Sequence, residues 1–533
     1  MRRRSPLSSS SLGRARRRMP ARYLAWSGLA VSLLAIAGVG LGSLGGESGA
    51  QGASAPGVAA GTGIATAAPT LDPAARRNHG ALPPLVSPAQ RWAQAERAEV
   101  RGYAEATWNS IELFDGGQAL PSDKLCFDAQ GKGERTGYTF IANIGAYIWS
   151  VIGARDLGLI SEDGARQRLL PLLDAIETLQ RDSAAAGAPA GMMTWAAQVQ
   201  GPRISGETIS SVDNAWLGAG LGLIAEAVPM LKPRAEAVLA KMDFAAMLNA
   251  QKGQFYNNYD LGKRAFSEGT YDLLTEARFI SYLAIGEGKV PASQYFRVER
   301  WPWWRGQNNA AQFREYEGVR VYEHTLTYAG QRFMPTWGGS MFESFMPFLL
   351  VPETQWAPQS WGRSHPQMAA AQVRFGLDEY GYWGFSPSMI PSTGGYTEYG
   401  APPMGIGGYS PLGQNEAARA GAVVTPHAVF LPIELQTRAA LANLRKLRAN
   451  FPSIYDVRYG FRDSVDVSTG AVSQCMLLLD QAMAFGAMTN YLTDGGLRRY
   501  LGDRFAARLR PAIGQEVFWY PDEAGAASGQ GAD

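Results

Sequence analysis

The sequence is poor in the residues that build metal and redox sites. Among 533 residues there are only 2 cysteines and 4 histidines, and no CxxC or HExxH pair provides zinc-ligand spacing. No GxSxG motif occurs, which excludes the nucleophile elbow of the α/β-hydrolases. We therefore expect no metal and no other cofactor. Cys126 and Cys475 lie far apart in the chain, and both a disulfide and two buried free thiols are compatible with the sequence.

The excess of positive over negative charge is confined to the N-terminus. The chain has 49 basic and 47 acidic residues, but residues 1–55 hold eight arginines and one acid, which leaves 41 basic and 46 acidic residues after them. The remaining net charge of −5 argues against nucleic acid as a partner, because a nucleic-acid-binding domain needs a basic surface.

The N-terminal segment has the pattern of an export signal. A basic head over residues 1–22 precedes an uncharged, apolar run over residues 23–44, and small residues at 53–55 offer a cleavage site. The run is also long enough to span a bilayer. We expect residues 1–55 to be a signal peptide or a membrane anchor, with the body periplasmic or secreted and, in the anchored case, tethered to the inner membrane through residues 23–44.

The remainder divides into a linker, one body and a tail. Residues 56–90 are rich in Ala, Gly and Pro without periodicity, as in a flexible linker, and residues 516–533 are expected to be a disordered tail. Helical periodicity recurs through residues 91–515, while strand-like alternation is limited to 319–328 and 455–467. An all-α fold, an (α/α)6 toroid or barrel with long aromatic-rich loops, suits this pattern. Helices are predicted near 88–113, 140–157, 209–229, 233–250, 271–285, 364–377, 436–449 and 472–492.

The long loops are rich in aromatic residues. Tryptophan and tyrosine number 14 and 22, and many fall within 295–340 and 380–412. Their rings have an apolar face and a polar edge, which suits sugar rings. Each ring taken singly is better explained by packing against the helices, whereas the cluster as a whole favours a saccharide-binding cleft. The candidates for sugar contacts are Trp337, Trp383, Tyr396 and Tyr399, with the loop carboxylate Glu398 between the two tyrosines.

Two carboxylates interrupt helical apolar stripes. Asp213 falls in a stripe with Ile209 and Trp216, and Glu276 falls in one with Leu273 and Phe279. A carboxylate held partly dry has a raised pKa, as a general acid near neutral pH requires, and glycoside hydrolysis commonly uses two such groups. The alternative is structural: an ion pair for Glu276, or a helix cap for Asp213.

Several collinear motifs between residues 100 and 495 resemble the bacterial glucoamylase-like (glycoamylase) family. This family is related to endo-β-1,2-glucanases and to the corresponding domain of cyclic β-1,2-glucan synthases. Two positions depart from the family pattern. Ala482 replaces the glycine of the family's Asp-Gln-Gly segment, and Ala215 replaces the glycine of the Asn-Gly-Trp segment found in many relatives. The matching segments are NIGAYIW at 143–149, SVDNAW at 211–216, GQFYNNYD at 253–260, GGSMFE at 338–343, YWGFS at 382–386, GGYTEYG at 394–400, VTPHA at 424–428, YGF at 459–461 and DQ at 480–481.

The resemblance implies an (α/α)6 barrel and a glycoside hydrolase or transglycosylase that acts on a glucan. It favours Glu276 as general acid, with Asp213 and Glu343 at further acidic positions of the family, and His427 in a motif assigned to substrate binding. The expected partner is an oligo- or polysaccharide, and the expected state is a monomer. The competing hypothesis is a non-catalytic glucan-binding or polysaccharide-assembly protein of the cell envelope that uses the same cleft.

Overall fold

The computed structural model describes residues 94–128, 130–300, 313–323, 325–406 and 422–518. About half of the described residues are helical. The helices are α1 (Gln94–Asp115), α2 (Ile141–Asp156), α3 (Glu162–Ala185), α4 (Ser211–Ala227), α5 (Lys232–Lys241), α6 (Arg278–Gly286), α7 (Gln294–Arg297), α8 (Met341–Phe345), α9 (Glu353–Trp356), α10 (Trp361–Tyr380), α11 (Pro426–Phe430), α12 (Ile433–Asn450), α13 (Leu478–Thr493) and α14 (Gly496–Gly514).

Short strands fill the connections between helices. They form two- and three-stranded antiparallel sheets. The all-α expectation holds for the framework, and the strands predicted near 319–328 and 455–467 are confirmed, but strands also occur in other connections. The strands are β1 (Lys124–Phe127), β2 (Gly133–Arg135), β3 (Tyr138–Phe140), β4 (Ala196–Gln198), β5 (Arg203–Ser205), β6 (Thr208–Ser210), β7 (Leu248–Asn249), β8 (Gln254–Phe255), β9 (Asn258–Asp260), β10 (Ala265–Phe266), β11 (Phe313–Tyr316), β12 (Val319–Tyr322), β13 (Leu326–Tyr328), β14 (Gln331–Phe333), β15 (Ser388–Met389), β16 (Tyr396–Thr397), β17 (Val423–Val424), β18 (Tyr455–Asp456), β19 (Gly460–Phe461), β20 (Val465–Asp466) and β21 (Cys475–Leu477).

Four helices form the centre of the core. Nearly every side chain of α2, α4, α6 and α13 is buried, as expected of helices that are apolar on all sides. Helices α1, α3, α10, α12 and α14 instead have exposed polar faces and cover the centre. The central helices pack in the order α6, α4, α2, α13.

The contact between α2 and α4 depends on glycine. A Cβ atom on Gly145 would clash with the carbonyl oxygen of Trp216, and a Cβ atom on Gly220 would lie 3.0 Å from the Cα atom of Gly145. Small residues at both positions let the two backbones approach closely. This approach fixes the start of α4, which carries Trp216 and Asp213.

The predicted helix positions are largely confirmed, and the differences occur where the backbone pairs with other segments. Helix α6 starts at Arg278 rather than near 271, because Leu273 donates its amide to Glu299 and Trp337 donates to the carbonyl of Leu274. Residues 475–477 form β21 before α13. The helix predicted to 250 ends at Lys241 and is followed by a 3-10 turn and β7.

The C-terminal boundary of the packed body differs from the expected one. Glu516 and Phe518 are completely buried, so the packed body extends past 515, and the tail expected from 516 starts no earlier than 519. Residues 1–93 and 519–533 lie outside the described residues, as do the expected leader, linker and most of the tail. No described helix is both long and apolar enough to cross a membrane.

Candidate active site

The first turns of three central helices meet at one cavity. Strand β3 leads directly into α2, β6 into α4 and β21 into α13, and the third residue of each helix is polar: Asn143, Asp213 and Asp480. All three line the same cavity. A helix N-terminus carries a partial positive charge that favours nearby carboxylates, so the fold itself provides places where acids can be held with little water.

The cavity has about 880 Å³ of empty space, including the part open to solvent. Its apolar walls include two neighbouring aromatic rings, Phe140 and Trp195, whose centroids are 5.4 Å apart. Trp216 is stacked on Phe279 at 4.2 Å and forms another wall. The lining residues are Asp123, Phe140, Ala142, Asn143, Trp195, Ser210, Val212, Asp213, Trp216, Tyr271, Glu276, Phe342, Met346, Tyr396, Leu477, Leu479 and Asp480.

Glu276 lies in the turn before α6 and faces this cavity. It is 7% exposed, and its Oε2 atom has no hydrogen-bond partner. Burial, followed by the neighbouring charge of Glu343, raises its pKa from 4.5 to about 8. The prediction of a dry carboxylate at Glu276 is confirmed, but its position in a turn rather than in a helical stripe is new. At neutral pH this carboxyl holds a proton that it can donate.

Asp213 lines the cavity beside Glu276, since α4 packs directly against α6. Burial raises its pKa to about 6, opposed by hydrogen bonding with Ser210. The cap of α4 is Ser210, whose hydroxyl accepts from the Asp213 amide at 3.3 Å. The Ser210 hydroxyl thus caps the helix and also hydrogen-bonds with the Asp213 carboxylate, and that carboxylate lines the cavity.

Two cavity acids, Asp123 and Asp480, were absent from the predicted site. Asp123 precedes β1, Asp480 follows β21, and these strands pair so that Leu478 donates its amide to the carbonyl of Asp123 at 2.9 Å. Asn143 donates to Asp123 at 2.8 Å, while the other oxygen of Asp123 has no partner. Asp480 belongs to the matched DQ segment, which was the one sequence signal that could have identified it.

Asp480 shares its surroundings with a second buried acid, Asp463. The carboxylate of Asp463 accepts the amides of Met389 at 2.7 Å and Leu477 at 3.3 Å. Burial raises the pKa of Asp463 to about 6. Burial, together with Asp463, raises the pKa of Asp480 well above its usual value. Asp480 therefore carries the proton of this pair at neutral pH and donates it toward Asp463, which is held by two backbone amides.

Glu343 is a structural carboxylate, so its predicted catalytic role is corrected. Its carboxylate accepts the Gly338 amide at 2.9 Å and the Ser340 hydroxyl at 2.9 Å, which completes a capping box at the start of α8. It does not line the cavity. Its influence on the site is electrostatic, because its charge is the main charged contribution to the raised pKa of Glu276.

The aromatic loop candidates fall into two groups. Tyr396 lines the cavity, and Glu398 nearby has a pKa raised to about 7 by burial and by Glu343. Trp337 and Tyr399 are half-buried and do not line the cavity. Trp383 is 1% exposed, and Asn443 accepts its amide at 3.3 Å, so the prediction that it contacts sugar is wrong: its ring belongs to the core.

His427 is also displaced from its predicted role. It is 3% exposed and lies behind Asp480 rather than in the cavity wall, with its Nδ1 atom 3.3 Å from Asp480 Oδ2. The rings that do line the cavity and were missed are Phe140, Trp195, Trp216, Tyr271 and Phe342. Among the described residues, no group of three or more His, Cys, Asp or Glu side chains has the arrangement of a metal site.

Comparison with known proteins agrees with the sequence motifs. Residues 270–502 match a family described as Glycoamylase, putative glucoamylase. The cyclic beta-(1,2)-glucan synthase NdvB of Rhizobium meliloti is 26% identical over 289 residues, which are 51% of this chain and 9% of that protein. The chain thus spans less than a tenth of this relative. The resemblance to the glucoamylase-like family is confirmed.

Solved structures show the same fold. A putative glucoamylase from Bacteroides uniformis has a TM-score of 0.57 and 14% identity, over 80% of this chain and 96% of that one. An endo-beta-1,2-glucanase from Chitinophaga pinensis, solved with sophorotriose and glucose, has a TM-score of 0.57 and 14% identity, over 80% of this chain and 97% of that one.

Proposed function

We propose that this chain, whose residues 270–502 match the glycoamylase family, is a glycoside hydrolase that acts on a glucan, with β-1,2-linked glucan as the favoured substrate. The observation that carries the proposal is Glu276: a buried, unpartnered carboxyl with a raised pKa that faces a cavity shared with other carboxyls. The substrate preference is supported by the endo-beta-1,2-glucanase fold and by the NdvB match.

The positions of the acids suggest their roles. Glu276 precedes α6, Asp213 is on the adjacent helix α4, and Asp480 is two helices further along the packing order, on α13. A general acid and a general base act on opposite sides of the sugar ring. Asp480 is therefore the better partner for Glu276, and it replaces Asp213 in that role. Asp213 stands beside the acid, where it can bind a sugar hydroxyl and help to keep Glu276 protonated.

Hydrolysis then requires one proton transfer on each side of the glycosidic bond. Glu276 gives its proton to the leaving oxygen as the glycosidic C–O bond breaks. The oxygen of a water molecule bonds to the anomeric carbon, and its proton passes to Asp480, which in turn gives its own proton to Asp463. The hydrogen bonds from the Met389 and Leu477 amides hold Asp463 ready to receive that proton.

The walls of the cavity suit a saccharide. The Trp195 and Phe140 rings offer apolar faces for the C–H side of a sugar ring, while the carboxyls accept from its hydroxyls. Neither a metal nor another cofactor is needed for this chemistry, and the ligand is an oligo- or polysaccharide. A non-catalytic glucan-binding role is the second candidate, supported by the same apolar walls.

We also propose the remaining parts of the architecture and location. The inner and outer helices are proposed to close into an (α/α)6 ring, with the protein acting as a monomer. The bulk of the chain is proposed to be exported, through a cleaved leader or an anchor within residues 23–44. The disulfide between Cys126 and Cys475 supports export, because disulfides persist in oxidising compartments.

The test is product analysis of the purified protein on β-1,2-, β-1,3-, β-1,4- and α-linked glucans. We expect oligosaccharides from β-1,2-glucan alone, a fall of about 10²- to 10⁴-fold in their release by Glu276→Gln, and a larger loss in Asp480→Asn than in Asp213→Asn. If Asp213→Asn is the more damaging variant, the base is Asp213. Binding of glucan without release of sugar from any substrate would favour the non-catalytic role.

A further inference from the structure

A second, smaller cavity lies behind Asp480. The centre of a water molecule can move within about 10 Å³ of it, against about 110 Å³ of the main cavity, and about 10 Å³ is the lower limit at which a cavity holds one water. Asp480 lines both this cavity and the main one, so its side chain lies between the main cavity and the smaller one, which we call the chamber. The chamber is lined by Thr107, Pro426, His427, Phe430, Phe461, Arg462, Asp463, Asp480, Gln481 and Ala484.

The hydrogen bonds around His427 determine its tautomer. Thr425 Oγ1 donates to the carbonyl of Asp463 at 2.8 Å and lies 2.7 Å from His427 Nδ1. A hydroxyl has one proton to donate, so the hydrogen between Thr425 and His427 belongs to Nδ1. Burial lowers the pKa of His427 to about 3, and the ring is therefore neutral. That hydrogen is directed at Thr425, while the Nδ1 atom itself lies 3.3 Å from Asp480 Oδ2, an oxygen that has no hydrogen-bond partner.

This tautomer leaves Nε2 as a buried acceptor without a donor. Nε2 has no hydrogen-bond partner, and neither has the Nη1 donor of Arg462, which lines the same chamber. Buried polar atoms are rarely left unsatisfied. An acceptor and a donor that face a space for one water are complementary, because the water can donate to Nε2 and accept from Nη1.

We propose that His427 is a positioning residue for Asp480, held as the neutral Nδ1–H tautomer by Thr425, with one buried water bridging its Nε2 atom to Arg462 Nη1. The inference rests on the proposed function in its assignment of Asp480. Its physical content is that the partly positive Nδ1 side of the imidazole lies 3.3 Å from an Asp480 oxygen that has no hydrogen-bond partner, and so favours the ionised form of the Asp463–Asp480 pair. His427 acts from behind the carboxyl and does not touch substrate.

Other groups also act on Asp480. Asp123 and Asp463 raise its pKa through their charges, and Tyr396 faces it across the main cavity. Arg462 is stacked over Phe127 with its guanidinium 3.8 Å from the ring centroid and shares the small chamber. The titratable or charged groups that surround Asp480 are Asp123, Tyr396, His427, Arg462 and Asp463.

The first experiment compares replacements of His427 by kinetics. In His427→Asn the side-chain amide can stand where Nδ1–H stands, whereas in His427→Gln it reaches toward the Nε2 position. We expect His427→Ala to lower kcat by about tenfold, because the partly positive Nδ1 side of the ring no longer lies beside Asp480, with KM unchanged and the acidic limb of the pH profile moved to higher pH. His427→Asn should recover activity better than His427→Gln.

The control is His365→Asn. His365 is also buried and lies 2.9 Å from Glu353, away from the cavity, so its loss should leave the pH profile in place. A rise in KM with unchanged kcat in His427→Ala would overturn the proposal in favour of direct substrate binding. Equal or better recovery by His427→Gln would overturn it as well, and if His427→Ala does not fold, the Asn and Gln variants decide alone.

A second experiment does not depend on catalysis. Removing an N–H that favours ionised Asp480 raises the pKa of the folded pair, which destabilises the fold only where the pair ionises. The Tm difference between wild type and His427→Asn should therefore be small, and that between wild type and His427→Gln should widen as pH rises from 5 to 9. A gap independent of pH overturns the positioning role, even if no glucan is cleaved and the proposed function fails.

Discussion

Cys126 and Cys475 stand directly opposite each other on the antiparallel strands β1 and β21 and are joined by a disulfide. They are 349 residues apart in sequence, so the bond ties the two ends of the domain together. Asp123 precedes one strand and Asp480 follows the other, and both line the cavity. The bond therefore supports one acidic wall of the site.

Removal of this bond should affect both stability and activity. We expect Cys126→Ser with Cys475→Ser to lower the free energy of unfolding by ~2–5 kcal/mol, measured by denaturant titration against wild type. Because Asp123 and Asp480 flank the joined strands, kcat should fall below that of wild type at a temperature where both proteins are folded. Unchanged kcat at that temperature would show that strand pairing alone places the two acids.

The variant Glu276→Gln separates chemistry from folding. Sugar release should fall by about 10²- to 10⁴-fold, the usual contribution of general acid catalysis, while the circular dichroism spectrum stays unchanged. The folded-state pKa of Glu276 is raised from 4.5 to about 8, so the wild type loses stability as pH rises from about 4.5 to about 8. The variant should therefore gain Tm relative to wild type over that range, and a Tm difference that is constant with pH would contradict the raised pKa.

The pH profile of kcat/KM should be bell-shaped. The alkaline limb follows Glu276, with a pKa of about 8, and the acidic limb follows Asp463, the final proton acceptor of the receiving pair, with a pKa of about 6. The acid must keep its proton and the receiving pair must be able to accept one, so activity is greatest between about pH 6 and pH 8. A profile still rising above pH 9 would exclude Glu276 as the acid.

Glu343→Gln tests the electrostatic origin of the alkaline limb. Glutamine can still complete the capping box of α8, but it removes the charge that contributes most to the raised pKa of Glu276 after burial. The pKa of Glu276 should fall, and the alkaline limb should move to lower pH with the fold retained. Loss of all activity at every pH would instead indicate a direct role of Glu343 in catalysis.

Two tryptophans give opposite expectations. Trp195→Ala removes a ring from the cavity wall and should raise KM with a small effect on the free energy of unfolding. Trp383→Ala empties a core position and should cost ~3–5 kcal/mol of stability, with KM of the folded fraction unchanged. Kinetics and denaturant titration on both variants would distinguish a wall residue from a core residue.

The sequence predicts most of the helical framework, because the central helices are apolar on all sides and the outer ones have clear periodicity. It also places Glu276 and Asp213, since a charge inside an apolar stripe is a local signal. It does not predict Asp123, which joins the site only through the pairing of β1 with β21. It misplaces Glu343 and Trp383, because a capping carboxylate and a core ring have the same local composition as a ligand-binding pair.

The pairing of β1 with β21 has a consequence for synthesis on the ribosome. Asp123 emerges early and Asp480 emerges near the end, so one wall of the cavity is absent until the final helices of the body are made. A nascent or truncated chain would have α2, α4 and their apolar surfaces but no closed site. Binding of the proposed glucan ligand would thus report that the whole body has been assembled, which makes it a direct assay of completed folding.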